Sequence, residues 1–274
     1  MKLATIKKGE VTALVRVTGE GYVEVPGYAS VSELLEAGAL EEARTAEGES
    51  GDLASATLVN PLPNPSKIIC VGVNYRNHIK EMGREPAPYP TLFMKVRESL
   101  IGPNDPIMLP PESQAVDYEG ELAMVIGTKV RRAKGEQARA AIAGFTCSND
   151  TSMRDWQYRT AQWDQGKAWE RATPIGPVVV TPDELPLDAR LVTEVNGEVR
   201  QDTPVDDLVF GTVELVEYLS TIFTLNPGDV ILTGTPGGVG HAKKPPQYVQ
   251  AGDIVSVTID GIGTIKNRAE AEEV

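Results

Sequence analysis

Across residues 1–60 the apolar positions alternate in short stretches, 11–17 and 22–25, which predicts strands with one buried face. One helix is predicted among them. Ser30 with Glu33 three residues on forms a capping-box pattern ahead of Leu34 and Leu35, and Gly38 supplies the stop. The stretch AEGESGD at 46–52 is polar, and NPLPNP at 60–65 is proline-dense. A boundary is therefore expected within 46–65, leaving a small α+β domain at 1–62 and a larger one at 63–274. Beyond it, 67–73 reads as an apolar strand and 74–82 as a helical turn closed by Gly83. From 117 to 126, DYEGELAMVI alternates, with Glu119, Glu121, Ala123 and Val125 on one face and Tyr118, Leu122, Met124 and Ile126 on the other. Residues 151–163 have helical composition. Apolar residues at 208, 209, 213, 215, 216, 219 and 222 predict a core-facing helix over 207–223. Turn signals at Pro227-Gly228-Asp229 and Ala251-Gly252-Asp253 open β-branched runs at 230–232 and 254–259. The fold class expected is α+β and β-rich.

Composition adds limits. A chain of 274 residues, 41% hydrophobic, can bury a substantial core without covalent staples. Its two cysteines, Cys70 and Cys147, sit in apolar stretches and read as reduced and buried, although a pairing between them stays open. No run of about 18 apolar residues is present, and the N-terminus lacks a signal-peptide core, so a cytoplasmic protein is expected. The net charge of −13 argues against nucleic-acid and anionic-membrane partners. The same charge repels an anionic substrate, which would need clustered Arg and Lys or a bound cation.

Two carboxylates two residues apart on a strand, Glu119 and Glu121, can reach one ion. Two readings stand. Either the strand enters the core and the pair is protonated or metal-bound, or it is an edge strand with a solvated acidic face. Asp150 offers a third oxygen, or serves as a helix N-cap. Arg154 and Gln157, three apart, share a helix face that is either a pocket wall or surface. Lys167 follows in a loop, where a surface lysine is the ordinary assignment. Of the two histidines, His78 stands three residues before Glu81, either as an oriented general base or as a surface ion pair. His241 follows the glycine-rich 234–240, which lacks the lysine and helix of a phosphate-binding loop. No Gly-x-Ser-x-Gly elbow is present.

In series, these segments resemble the fumarylacetoacetate hydrolase superfamily over residues 60–270. The matching pieces are Val71-Gly72-Val73-Asn74-Tyr75 with His78, Leu100-Ile101-Gly102-Pro103, Asp117-Tyr118-Glu119-Gly120-Glu121-Leu122, Asn149-Asp150 with Arg154-Asp155 and Gln157, Gly166-Lys167, Pro174-Ile175-Gly176-Pro177, and the run from Pro227 to Pro236. The resemblance implies a mixed β-sandwich roll, a homodimer, and Mg²⁺ or Mn²⁺ held by Glu119, Glu121 and Asp150. It also implies a water-activating dyad of His78 with Glu81, Lys167 and Thr235 on the oxygens of a small 2-oxo carboxylic acid, and Arg154 with Gln157 positioning that substrate. The expected activity is C–C hydrolysis of an acylpyruvate such as fumarylpyruvate. Isomerisation or decarboxylation of a hydroxymuconate or of oxaloacetate stands as the alternative, and a non-catalytic metal-binding protein as a third. Val96-Arg97 and Glu170 depart from the family's pattern. From the first departure, Arg97 is expected to pair with a distal substrate carboxylate.

Overall fold

The computed structural model, which describes residues 1–273, is built round the strand Gly120–Ile126, whose seven residues are all buried. It pairs antiparallel with Ile142–Asn149 on one side and Val230–Leu232 on the other. Ile68–Gly72 runs parallel to Val230–Leu232, and Thr91–Lys95 closes that end. In the other direction Thr173–Val180 leads through Lys2–Lys8, Val11–Thr18 and Gly21–Glu24 to Ser50–Asp52, and with Thr57–Val59 on Lys2–Lys8 and Leu100–Ile101 on Thr173–Val180 the sheet has twelve strands. The sheet crosses the boundary expected within 46–65, because Lys2 and Leu3 pair with Val180 and Val179.

Strand alternation decides what each face meets. Leu122, Met124 and Ile126 join a core with Leu191, Val257, Ile259 and Ile265 of a second, five-stranded sheet, and with Leu215, Val216 and Leu219. Ala123 and Val125, on the opposite face, belong to the core that holds Val31, Leu34, Leu35 and Ile68. The expected α+β, β-rich class is the one observed. Gly120–Ile126 is a central strand, so the edge-strand reading of Glu119 and Glu121 falls.

The helix Val31–Glu36 starts as its capping pattern predicts. The Ser30 hydroxyl accepts from the Glu33 N–H at 3.3 Å, and Gly38 takes the left-handed conformation at φ 68. The helix expected over 207–223 is shorter, Thr212–Ile222. The 207–211 segment is held outside it, with the N–H groups of Val209 and Phe210 donating to the Asn74 carbonyl and side chain, each at 2.8 Å. Residues 151–163 depart further from expectation. Ser152–Met153 is extended and pairs with Val116–Asp117, leaving one four-residue helix, Arg154–Gln157, and a second of four residues, Asp164–Lys167, begins just past the stretch. The long helix fails because this stretch has no apolar stripe to bury. Its buried members include the polar Arg154 and Gln157. Cys70 and Cys147 are free and buried. Among the described residues no helix is long and apolar enough to cross a membrane.

Candidate active site

The carboxylate face of the central strand opens at its N-terminal end. Glu119 lies one residue before Gly120–Ile126, and two reciprocal contacts hold it. Its N–H donates to the Asn149 side chain at 2.8 Å, and its carbonyl accepts from the Asp150 N–H at 2.8 Å. The turn that carries Asp150 is thereby fastened to the turn that carries Glu119. Asp150 caps no helix. Oxygens of Glu119, Glu121 and Asp150 lie within 4.8 Å of one another, all three residues being buried.

Three buried cations face these acids. Lys167 Nζ lies 2.8 Å from both Glu119 Oε2 and Asp150 Oδ2. Lys95 Nζ is 2.5 Å from Asp150 Oδ1, and Arg154 is 2.7 Å from Glu119 Oε1. Arg154 also grips Asp117 at 2.8 Å and donates to Gln157 Oε1 at 2.8 Å. Burial by itself would raise the Glu119 carboxyl, but Lys167 and Arg154 outweigh it and hold the group at about 2. Burial would lower the Lys167 ammonium, but Asp150 and Glu119 push it above the usual lysine range. Glu121 differs. Its side chain has one hydrogen bond among the described residues, from the Gly234 N–H at 2.8 Å, and burial followed by the nearby Asp150 and Glu119 drives its carboxyl well above the carboxylate range. Gly234 presents that N–H from φ 107, a conformation open mainly to glycine.

As a cation site the cluster fits. It offers three hard oxygen donors, the kind that divalent Mg²⁺ and Mn²⁺ take. Its charge balances only while Glu121 is protonated: Asp117, Glu119 and Asp150 face Lys95, Arg154 and Lys167, and an ionised Glu121 has no cationic partner among the described residues, a place that a bound cation would fill.

Glu119, Glu121 and Lys167 line a cavity of about 210 Å³ together with Val71, Phe93 and Trp163, and Asp150 bonds to Lys167 behind it. The rings of Phe93 and Trp163 meet edge to face at 5.6 Å. His78 and Thr235 also line it. His78 Nδ1 is 3.0 Å from Glu81 Oε2, and Glu81 accepts from the Gly238 N–H at 3.1 Å as well, so the pair fastens the helix Arg76–Glu81 to the 237–240 loop. The Thr235 hydroxyl donates to the Gly120 carbonyl at 3.0 Å and accepts from Gln201 at 2.8 Å. Gly166 allows the two short helices to touch, since a Cβ there would lie 2.5 Å from Gln157 Cα.

Of the residues singled out in the sequence, Glu119, Glu121, Asp150, His78, Lys167, Arg154, Gln157 and Thr235 all line this cavity or bond to those that do, and Glu81 holds His78. Arg97 does not. It follows the strand Thr91–Lys95, whose alternation turns Phe93 and Lys95 inward. Its side chain is 58% exposed and pairs with the adjacent Glu98 at 3.2 Å. The expected role for Arg97 on a distal carboxylate is withdrawn on that geometry. Glu170 is exposed and outside the cavity. Lys95 and Asp117 were missed. Lys95 shares its strand face with Phe93, and Asp117 lies two residues before Glu119. Period-two spacing was the signal for both.

A β-rich α+β scaffold with a buried carboxylate triad, paired to three buried cations beside a small cavity, defines the class as an enzyme. The chain belongs to the fumarylacetoacetate hydrolase family: residues 67–270 match the family described as fumarylacetoacetate (FAA) hydrolase C-terminal. It is 42% identical over 244 residues to the oxaloacetate tautomerase fahd2, mitochondrial, of Xenopus laevis, covering 86% of this chain and 76% of that protein. A solved fumarylacetoacetate hydrolase from Exiguobacterium antarcticum superposes with a TM-score of 0.89 at 35% identity, covering 99% of this chain and 100% of the other. A 5-carboxymethyl-2-hydroxymuconate delta-isomerase from Mycobacterium smegmatis gives 0.83 at 37% identity, with both chains covered in full.

Proposed function

We propose that this enzyme catalyses proton transfer between the keto and enol forms of a small 2-oxo acid of the oxaloacetate class. The reading rests on one juxtaposition. A buried carboxylate triad, a cationic Lys167 and an oriented His78 meet around a single cavity of about 210 Å³. Relatives named oxaloacetate tautomerase support a reaction in which no C–C bond breaks.

Glu119, Glu121 and Asp150 would hold Mg²⁺ or Mn²⁺, which when bound supplies chelation of the 2-oxo carboxylate and stabilises enolate charge. The chain's own groups do the rest. Glu81 on Nδ1 fixes the His78 ring and leaves Nε2 to take a proton from the carbon next to the carbonyl and return it. Lys167, kept protonated by Asp150 and Glu119, donates toward the developing enolate oxygen. Arg154 holds Gln157 in the wall, and Gln157 with Thr235 orients the substrate. Phe93 and Trp163 exclude water, which strengthens each of these contacts.

Hydrolysis of an acylpyruvate, the first expectation from the sequence, stands as the second reading. The His78–Glu81 dyad that favours it could as well activate water as move a carbon-bound proton. A homodimer belongs to the proposal, as does a cytoplasmic location, although relatives carry "mitochondrial" in their names.

The test is a purified-enzyme assay with Mg²⁺ or Mn²⁺ on oxaloacetate, hydroxymuconates and acylpyruvates, following enol absorbance and products. Loss of the enol band without cleavage supports tautomerisation. Pyruvate plus a second acid would replace it with hydrolysis, and carbon dioxide with decarboxylation. His78→Ala should lower kcat about 10²–10⁴-fold while leaving metal affinity intact. A His78→Ala enzyme with undiminished kcat would remove His78 from the mechanism.

A further inference from the structure

Two lysines share Asp150, and they are held differently. Lys95 Nζ lies 2.5 Å from Asp150 Oδ1 and 3.3 Å from the Thr151 carbonyl, its side chain is fully buried, and it does not line the cavity. Lys167 Nζ lies 2.8 Å from both Asp150 Oδ2 and Glu119 Oε2, and it does line the cavity. Among the described residues Lys167 is the one cation that bridges two acids of the triad, since Arg154 touches only Glu119 of the three. A divalent ion drawn between Glu119 and Asp150 therefore meets an ammonium already bonded to an oxygen of each. Two cations on the same buried oxygens repel strongly, because little solvent screens them.

The Lys167 ammonium has a second partner within reach. Its backbone is fixed at the end of the helix Asp164–Lys167, where Gly166 packs on Gln157, but the charge rides on a flexible four-carbon stem. The ring of Phe93 has its centroid 5.1 Å from Nζ, within the range at which an aromatic face attracts a cation. Edge-to-face contact with Trp163 at 5.6 Å sets that ring, and both aromatics line the same cavity.

We infer that Lys167 is a built-in counter-ion of the metal site: an incoming divalent cation displaces its ammonium from Glu119 and Asp150 toward the Phe93 face, while Lys95 stays on Asp150. Two consequences follow from that exchange. Metal affinity is lowered, because binding breaks two buried charge-assisted hydrogen bonds. The ammonium also becomes available to a substrate oxygen only after the metal has entered, which orders the two binding events. This rests on the triad as the metal site proposed above; which 2-oxo acid reacts does not enter it.

The experiment measures Mn²⁺ affinity of the full chain by calorimetry, without substrate. Lys167→Met should bind Mn²⁺ about tenfold more tightly than the wild type, since no ammonium has to be displaced. Lys95→Met removes a cation no farther from Asp150 and should gain less. Phe93→Leu should weaken binding about two- to fivefold when Lys167 is present and leave it unchanged in the Lys167→Met background, where no ammonium needs the ring. A Lys95→Met gain as large as that of Lys167→Met, or a Phe93→Leu effect that is the same in both backgrounds, would overturn the displacement while leaving the metal site intact. If neither the wild type nor Lys167→Met binds Mn²⁺, the metal-site reading falls and this inference with it. The wild type supplies a reading that needs no substitution. In nuclear magnetic resonance spectra with isotope-labelled lysine, Overhauser contacts between the Lys167 Cε protons and the Phe93 ring should strengthen as Mg²⁺ is added to the chelated protein. Contacts that stay unchanged to saturation would reject the movement.

Discussion

Glu121 is the residue at which the chemistry of the site shows most directly. Glu119 and Asp150 are each neutralised by lysine or arginine within 2.8 Å, but Glu121 meets only a backbone N–H, and its burial disfavours the charged form. Glu121→Gln keeps the shape and removes a group whose ionisation the fold opposes and the unfolded chain allows. The chelated variant should be more stable than the chelated wild type by roughly 1–3 kcal/mol, the usual cost of burying an uncompensated polar group. It should also lose most of the rise in melting temperature that Mg²⁺ or Mn²⁺ gives the wild type, because one of three ligands is gone. Thermal melts with chelator and with metal measure both. A variant still stabilised by metal as strongly as wild type would remove Glu121 from the ligand set. Much of this site was legible in the chain, and the reason is local. Glu119 and Glu121 are related by strand period, and His78 and Glu81 by one helical turn. Strand period puts Lys95 on the inward face with Phe93 but does not show what it meets there, because its partner Asp150 is 55 positions away and only the sheet brings them together.

The elements behave unequally. The central strand announced itself by the alternation of Glu119 and Glu121 with apolar neighbours, and past them it is an unbroken apolar run because both of its faces meet apolar cores. The 151–163 segment misled because helix-favouring residues there serve the site and lack an apolar stripe, and the structure keeps only Arg154–Gln157 of it as helix. The helix Arg76–Glu81 was read correctly, but its clasp on the 237–240 loop depends on a contact 157 positions away. That clasp is pH-sensitive in a defined direction. The hydrogen bond from His78, aided by the Gly238 N–H, holds the Glu81 carboxyl below its ordinary value, so folding favours the ionised form. Its contribution is therefore full above the ordinary glutamate range and is lost as pH falls through the depressed value. Amide exchange at Gly238 should keep its protection down through the ordinary range and lose it only below. Glu81→Gln should show no such step. Protection that is lost while pH is still near neutral would contradict the clasp.

At the scale of the molecule, the first 60 residues and the remainder share more than a chain connection. Lys2–Lys8 hydrogen-bonds to Thr173–Val180, and the core under the N-terminal strands contains Leu3, Leu14, Leu34 and Leu35 together with Ala123 and Val125 of the central strand. A boundary drawn from proline and glycine content marks where the chain turns, but it carries no information about hydrogen bonds formed later across the sheet. The shared core predicts shared unfolding. All three tryptophans, Trp156, Trp163 and Trp169, lie in the short-helix region beside the site and none in the first 60 residues, so their fluorescence follows the catalytic part alone. Leu14 is fully buried in the strand Val11–Thr18, and Leu14→Ala should cost about 2–5 kcal/mol. If that core is continuous, the tryptophan transition must move down by several degrees in step with the loss of far-ultraviolet dichroism, although the substitution lies far from any tryptophan in sequence. A tryptophan transition left in place while the dichroism splits into two steps would mean that the N-terminal segment unfolds on its own, and that the site does not depend on it for stability.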